Sequence, residues 1–154
     1  MNAPRREIRL TVTAELGSLP RLLEAVDEVC DAAGVDRPFR HDLRLAVEEA
    51  CVNVMRHAYR GSEAGELSLE VAPVQWSGEP AIRVLLRDHG APFDPLALAP
   101  PTPQPADNDQ LRIGGLGVHL MRQMTDFQAY HRDAAAENCL TLVKILQPRQ
   151  GERE

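Results

Sequence analysis

The sequence is nearly without lysine: Lys144 is its single one. A phosphate loop of the G-x-x-x-x-G-K-[ST] kind is therefore excluded, because that loop needs a lysine beside its last glycine. Positive charge is not in excess either. A net charge of −6 and a pI near 5.4 argue against a broad nucleic-acid or anionic-membrane surface. The three cysteines, Cys30, Cys51 and Cys139, lack the short paired spacings of a zinc site. Their odd number fits reduced thiols better than a disulfide framework. No apolar run approaches the length of a membrane span, internal repeats are absent, and MNAPRREIRLTV passes from a short basic arm straight into a strand pattern, with no signal peptide. The expectation is one cytoplasmic domain over residues 1–154, long enough to bury a core without staples, and with no nucleic-acid or membrane partner.

What is present is a clear alternation of periods. EIRLTVTAE puts Ile8, Leu10 and Val12 on one face and Arg9, Thr11 and Thr13 on the other, a strand. SLPRLLEAVDEVCDAAG follows as a helix, with Ser18 as N-cap, Pro20 in the first turn and Gly34 as its stop. A longer helix runs from about Phe39 to Tyr59 and stops at Gly61. GELSLEVAPVQW and AIRVLLRD read as a hairpin joined through SGEP. The segment from Gly90 to Gly114 holds six of the twelve prolines and little periodicity, which suits a lid over about 91–113. A helix resumes at GLGVHLMRQMTD, the strands FQAYHR and CLTLVKIL follow, and a charged tail occupies about 148–154. The order predicts an α+β fold: a two-layer sandwich with helices on one face of a mixed, mostly antiparallel sheet.

Three stretches carry the candidate chemistry. In EEACVNVMRHAYRG, Leu43, Ala46, Val47, Ala50 and Val54 make the core stripe of the helix. Measured around the axis from Leu43, Glu49, Asn53 and His57 fall at about 240°, 280° and 320°, one row along the stripe's border. Glu48 falls at about 140°, on the opposite border, and cannot share a ligand with Asn53. A carboxylate and a carboxamide one turn apart beside a core offer a base and a hard oxygen ligand, or else they are a solvated flank. RDHGAPFD ends a strand in Asp88 and Gly90, which suits either a pocket floor that accepts a hydrogen bond from an amino-bearing ring or a plain turn. GGLG places Gly114, Gly115 and Gly117 at a helix start, an anion site, a lid hinge, or both.

In this order the three stretches resemble the N box and the two glycine boxes of the GHKL (Bergerat-fold) ATPases. Glu-Ala-x-x-Asn-x-x-x-His-Ala-Tyr, from Glu49 to Tyr59, and Asp-x-Gly-x-Pro-Phe-Asp, from Asp88 to Asp94, resemble the anti-sigma-factor serine/threonine kinase branch. That resemblance implies the Bergerat fold with an ATP lid, the cofactors ATP and Mg²⁺, and phosphorylation of a Ser/Thr on a STAS-domain antagonist. It also implies a sigma factor or another output protein as second partner. It gives Glu49 the role of general base and Asn53 that of Mg²⁺ ligand. It places Asp88 on the adenine amino group and Gly90 beneath the ring. Gly114, Gly115, Leu116, Gly117 and Val118 fall at the phosphates, and Thr141 at the adenine edge, although ENC stands where Gly-Thr precedes it in the family. Arg56 and Arg112 are the candidates for extra positive charge. The alternatives are a nucleotide-gated module that sequesters a partner without phosphotransfer, and a histidine-kinase catalytic domain. His41, in FRHDLR, reads as a surface histidine, because it opens the nucleotide-site helix instead of a separate dimerisation hairpin. Leu45 and Val52 lie off the core stripe and leave a second contact surface open, to the lid or to another copy of the chain.

Overall fold

The computed structural model describes residues 5–60, 63–97 and 116–146. Most of the expected lid, with Arg112, and the glycines Gly114 and Gly115 lie outside the described residues, as does the tail from 147. The element order is β1 (Ile8–Thr13), α1 (Leu19–Ala33), α2 (Arg37–His57), β2 (Glu66–Trp76), β3 (Glu79–Asp88), α3 (Leu116–Met124), β4 (Phe127–Arg132) and β5 (Asn138–Ile145). The five strands form one sheet in the order β1-β2-β3-β5-β4. The expectation of a mixed, mostly antiparallel sheet resolves further: each pairing among the described residues is antiparallel.

Period two decides which residues face the helices. Leu67, Leu69 and Val71 of β2, Ile82, Val84 and Leu86 of β3, and Leu140 and Leu142 of β5 share one face and join one buried cluster. Leu22, Val26 and Val29 of α1, Leu43, Ala46, Val47 and Ala50 of α2, and Val118 and Met121 of α3 pack onto them. The helices therefore lie on one face of the sheet, as two layers around one core. The stripe read from the sequence of α2 is the buried one, with Val54 half-buried at its end.

Local chemistry sets the element ends. Asp36 caps α2, its side chain accepting a hydrogen bond from the Phe39 N–H at 2.9 Å, with Pro38 in the first turn. Ser18 sits at the N-cap position of α1 but makes no side-chain cap bond. A short 3₁₀ turn, Leu16–Ser18, leads directly into the helix and leaves Ser18 in helical backbone geometry. Gly34 ends α1 at φ 71°. The β2–β3 hairpin turns on Ser77 and Gly78, both at positive φ (50° and 81°), the geometry of a two-residue turn that matches strand twist. The β4–β5 connection is tied by Asp133, whose Oδ1 accepts from the N–H groups of Ala135 and Glu137 at 2.9 and 3.0 Å.

Candidate functional site

The end of α2 and the ends of β3, β4 and β5 enclose a cleft lined by Ala50, Asn53 and Val54, by Leu86 and Asp88, by Tyr130, and by Asn138 and Leu140, together with Phe93 and Pro95. Two residues from the sequence motifs meet here. Asn53 of α2 is 8% exposed, and its Nδ2 is buried with no hydrogen-bond partner among the described residues. A polar atom in that state costs free energy unless a ligand satisfies it. Asp88, at the end of β3, is 5% exposed. Its Oδ1 accepts from the Gly90 N–H and from Asn138 Nδ2, both at 2.9 Å.

Glu49 lies one turn before Asn53 on α2, half-buried and outside the cleft lining. Burial pushes its pKa above the usual 4.5, the neighbouring Glu48 charge adds to this, and Arg56 opposes it. A carboxyl of raised pKa beside a pocket suits proton transfer. Arg56 is exposed and acts here through its charge on Glu49; it does not line the cleft. His41 is exposed, as expected of a surface histidine.

The glycine-box loop is clamped by the last turn of α2. The Ala91 N–H donates to the Ala58 carbonyl at 2.7 Å. The His89 N–H donates to Tyr59 Oη at 2.9 Å, and that hydroxyl donates to the Glu66 carbonyl at 2.7 Å. The His57 ring stacks on Phe93, centroids 5.1 Å apart. Ala58 and Tyr59 thus hold the loop that carries Asp88, which accounts for the His-Ala-Tyr ending of the motif in physical terms.

Besides Glu49, Arg56 and Gly90, which lie outside the lining, Thr141 and Val118 are not brought to the cleft. Thr141 pairs across the sheet with Leu85 and Ala129 on the face away from the helices, because Leu140 and Leu142 take the inward positions of β5. Val118 is 3% exposed, and its side chain belongs to the core cluster. Leu116 and Gly117 open α3, and Arg112, Gly114 and Gly115 lie outside the described residues. The sequence reading missed Asn138, Tyr130 and Arg132. Asn138 is 4% exposed and donates from Nδ2 to Asp88 and to the carbonyls of Ala91 (3.1 Å) and Gly90 (3.3 Å). Its Oδ1 accepts from Tyr130 Oη at 2.5 Å and Arg132 Nη1 at 2.8 Å. Asn138 shares the phase of Leu140 and Leu142 and so faces inward, but with Val143 equally buried on the other face that phase alone did not mark it in the sequence.

No cluster of three or more His, Cys, Asp or Glu able to hold a metal occurs among the described residues. A Mg²⁺ that takes most of its ligands from water and phosphate needs only one or two protein oxygens, and the buried Asn53 carboxamide fits such a single-ligand role.

Residues 12–144 match the family described as the histidine kinase-like ATPase domain. The chain belongs to that family. Its similarity to the curated members is to serine-protein kinases. The serine-protein kinase RsbW of Bacillus subtilis is 33% identical over 129 residues, 81% of this chain and 76% of that one. RsbW of Listeria monocytogenes EGD-e is 29% identical over 149 residues, 94% of this chain and 89% of that one. With RsbW of Bacillus licheniformis the identity is 36% over 89 residues, and the match spans about half of that protein's length (52%). Two solved structures share the fold. A Mycobacterium tuberculosis protein with RsbU and RsbW domains superposes with TM-score 0.65 at 16% identity, covering 96% of this chain and 34% of that one. A chain of the Pseudomonas aeruginosa SiaB–SiaC complex superposes with TM-score 0.53 at 14% identity, covering 90% and 89%. The chain thus belongs to the histidine kinase-like ATPase family, and the curated relatives it resembles are named serine-protein kinases.

Proposed function

We propose that the chain is an ATP- and Mg²⁺-dependent protein serine/threonine kinase that works by switching partners, phosphorylating a STAS-domain antagonist and releasing or holding an output protein such as a sigma factor. The observation that carries the nucleotide reading is the cleft itself, where Asn53 on α2, its Nδ2 donor unpartnered among the described residues, lines the same space as the Asp88 carboxylate on β3. Asp88 would accept a hydrogen bond from the adenine amino group, while Ala50, Leu86 and Leu140 give the ring apolar contact. Mg²⁺, bound through Asn53 and the phosphates, would supply charge neutralisation on the transferring phosphoryl group. Arg56, Arg112 and the backbone N–H groups of Gly114, Gly115, Leu116, Gly117 and Val118 are the proposed phosphate contacts.

Glu49 would take the proton of the acceptor hydroxyl as that oxygen bonds to the γ-phosphorus and the bond to ADP breaks. Its raised pKa strengthens it as a proton acceptor, and the single turn between Glu49 and Asn53 keeps the base next to the metal ligand. Positioning supplies most of the acceleration in phosphoryl transfer, so the rigid end of α2 matters as much as the base. Sequestration of a partner without phosphotransfer fits less well, because an ionisable carboxyl of raised pKa beside the metal ligand has no task in it.

The deciding experiment incubates the chain with labelled ATP, Mg²⁺ and its STAS-domain partner. Label on a serine or threonine of the partner, lost with Glu49→Ala and kept with Glu48→Ala, supports the kinase reading. Bound ATP with no transfer would leave the sequestering module instead.

A further inference from the structure

We infer that Arg132 and Tyr130 are positioning residues for recognition of the nucleotide base: acting through Asn138, they hold the Asp88 carboxylate so that one oxygen faces the cleft as a pure acceptor. This rests on the proposed ATP site and adds to it a device that selects the base.

The chemistry of the donors settles the geometry. A guanidinium can only donate. Arg132 Nη1 lies 2.8 Å from the Asn138 side chain and 3.1 Å from the Gly90 carbonyl, so the Asn138 atom that faces it must be oxygen. Tyr130 Oη, 2.5 Å away, donates to the same oxygen. With that oxygen fixed, Nδ2 has to point the other way, where every neighbour is an acceptor: Asp88 Oδ1 at 2.9 Å, the Ala91 carbonyl at 3.1 Å and the Gly90 carbonyl at 3.3 Å. Two amide hydrogens meet three acceptors, and Asn138 keeps no donor for a ligand. An amide whose orientation is left open at other sites is locked here by its partners.

The consequence falls on Asp88. Both of its hydrogen bonds, from Asn138 Nδ2 and from the Gly90 N–H, go to Oδ1. Oδ2 is left as the acceptor for whatever enters the cleft. Tyr130, which also lines the cleft, spends its only proton on Asn138 and so has only acceptor capacity left for a ligand. The polar groups on this wall therefore require a donor from the base, such as the 6-amino group of adenine, and repel the 6-keto oxygen of hypoxanthine. The strands do not need these side chains to stay together. The β4–β5 ladder already pairs Tyr130 with Leu140 and Arg132 with Asn138 through the backbone.

Calorimetric titration of ATP and of ITP into the full chain with Mg²⁺ tests this, using wild type, Arg132→Met, Arg132→Lys and Tyr130→Phe. Arg132→Met frees Asn138 to rotate, so ATP affinity falls about tenfold while ITP affinity changes little, and the preference for ATP shrinks by the same factor. Arg132→Lys retains a donor and recovers part of the preference. Tyr130→Phe, which removes one hydroxyl, reduces it by a smaller factor and carries the test alone if Arg132→Met does not fold. Equal losses for ATP and ITP, or no change in their ratio, overturn the positioning role, since a merely structural contribution moves both together. A wild-type chain that binds neither nucleotide overturns the nucleotide site and this inference with it.

Discussion

Gly90 presses its backbone against the carbonyl oxygen of Ala58: a Cβ at position 90 would lie 2.1 Å from that oxygen and 2.6 Å from the Ala58 Cβ. The close approach is what allows the Ala91 N–H to reach the same carbonyl at 2.7 Å. Glycine is required here by contact with the C-cap residue of α2. The obstacle is backbone, which cannot rotate away.

Gly90→Ala is therefore expected to cost about 1–3 kcal/mol of stability, the range for forcing a methyl into a filled site. It should also weaken ATP binding, because relief of the clash moves the loop that follows Asp88. Urea unfolding monitored by circular dichroism measures the first, and nucleotide titration the second.

The raised pKa of Glu49 makes the kinase reaction pH-dependent in a stated direction. As a base Glu49 acts deprotonated, so transfer should rise with pH through an inflection above the usual carboxyl value of 4.5. Glu48→Gln removes a neighbouring negative charge and should move the inflection down; Arg56→Gln removes the opposing positive charge and should move it up. Glu49→Gln should lose roughly 10²–10⁴-fold in transfer rate. The stability contribution has its own sign. The folded chain holds this proton more tightly than the unfolded one, so the contribution is fully present below about 4.5 and is lost as pH rises through the folded value. Single-turnover phosphotransfer across a pH series reads the inflection.

Glu70 sits on the sheet face away from the helices, 6% exposed, with Arg9, Arg83 and Arg87 at 3.2, 3.3 and 3.3 Å. Burial would raise its pKa. The hydrogen bond from Arg87 and the charges of Arg9 and Arg83 outweigh that and hold it below the usual carboxylate range. Its stability contribution is thus present above the ordinary value of 4.5 and lost as pH falls through the folded value. Glu70→Gln should cost about 1–3 kcal/mol at neutral pH and flatten the acid side of the stability curve, measured by denaturant unfolding across a pH series. Nucleotide affinity should stay unchanged, because this face does not border the cleft.

Much of this architecture was legible before any coordinates. The period-two faces around Leu67 and Ile82 and the period-3.6 stripe from Leu43 to Ala50 are strong local signals, and the structure buries both. The base side of the site was harder to read. Both faces of β5 are apolar, since Val143 is as buried on one face as Leu142 is on the other, so alternation alone does not reveal which face carries the pocket. Thr141 and Asn138 differ by that phase, and only the pairing of β5 with β3 and β4 decides between them. The Asn138–Arg132–Asp88 network joins three strands and has no local pattern at all. Ser18 illustrates a smaller point: a residue of the right type before a helix does not cap it when a 3₁₀ turn already runs into the first turn.

Asn53 and Asp88 line one cleft, and calorimetric titration of ATP with and without Mg²⁺ shows whether that cleft is a single Mg²⁺-dependent ATP site. Wild type should bind ATP more tightly with Mg²⁺ than without. Asn53→Ala should lose that Mg²⁺ enhancement, and Asp88→Ala should lose binding under both conditions. An Asn53→Ala variant that keeps the full Mg²⁺ enhancement, or an Asp88→Ala variant that binds ATP as wild type does, would contradict it.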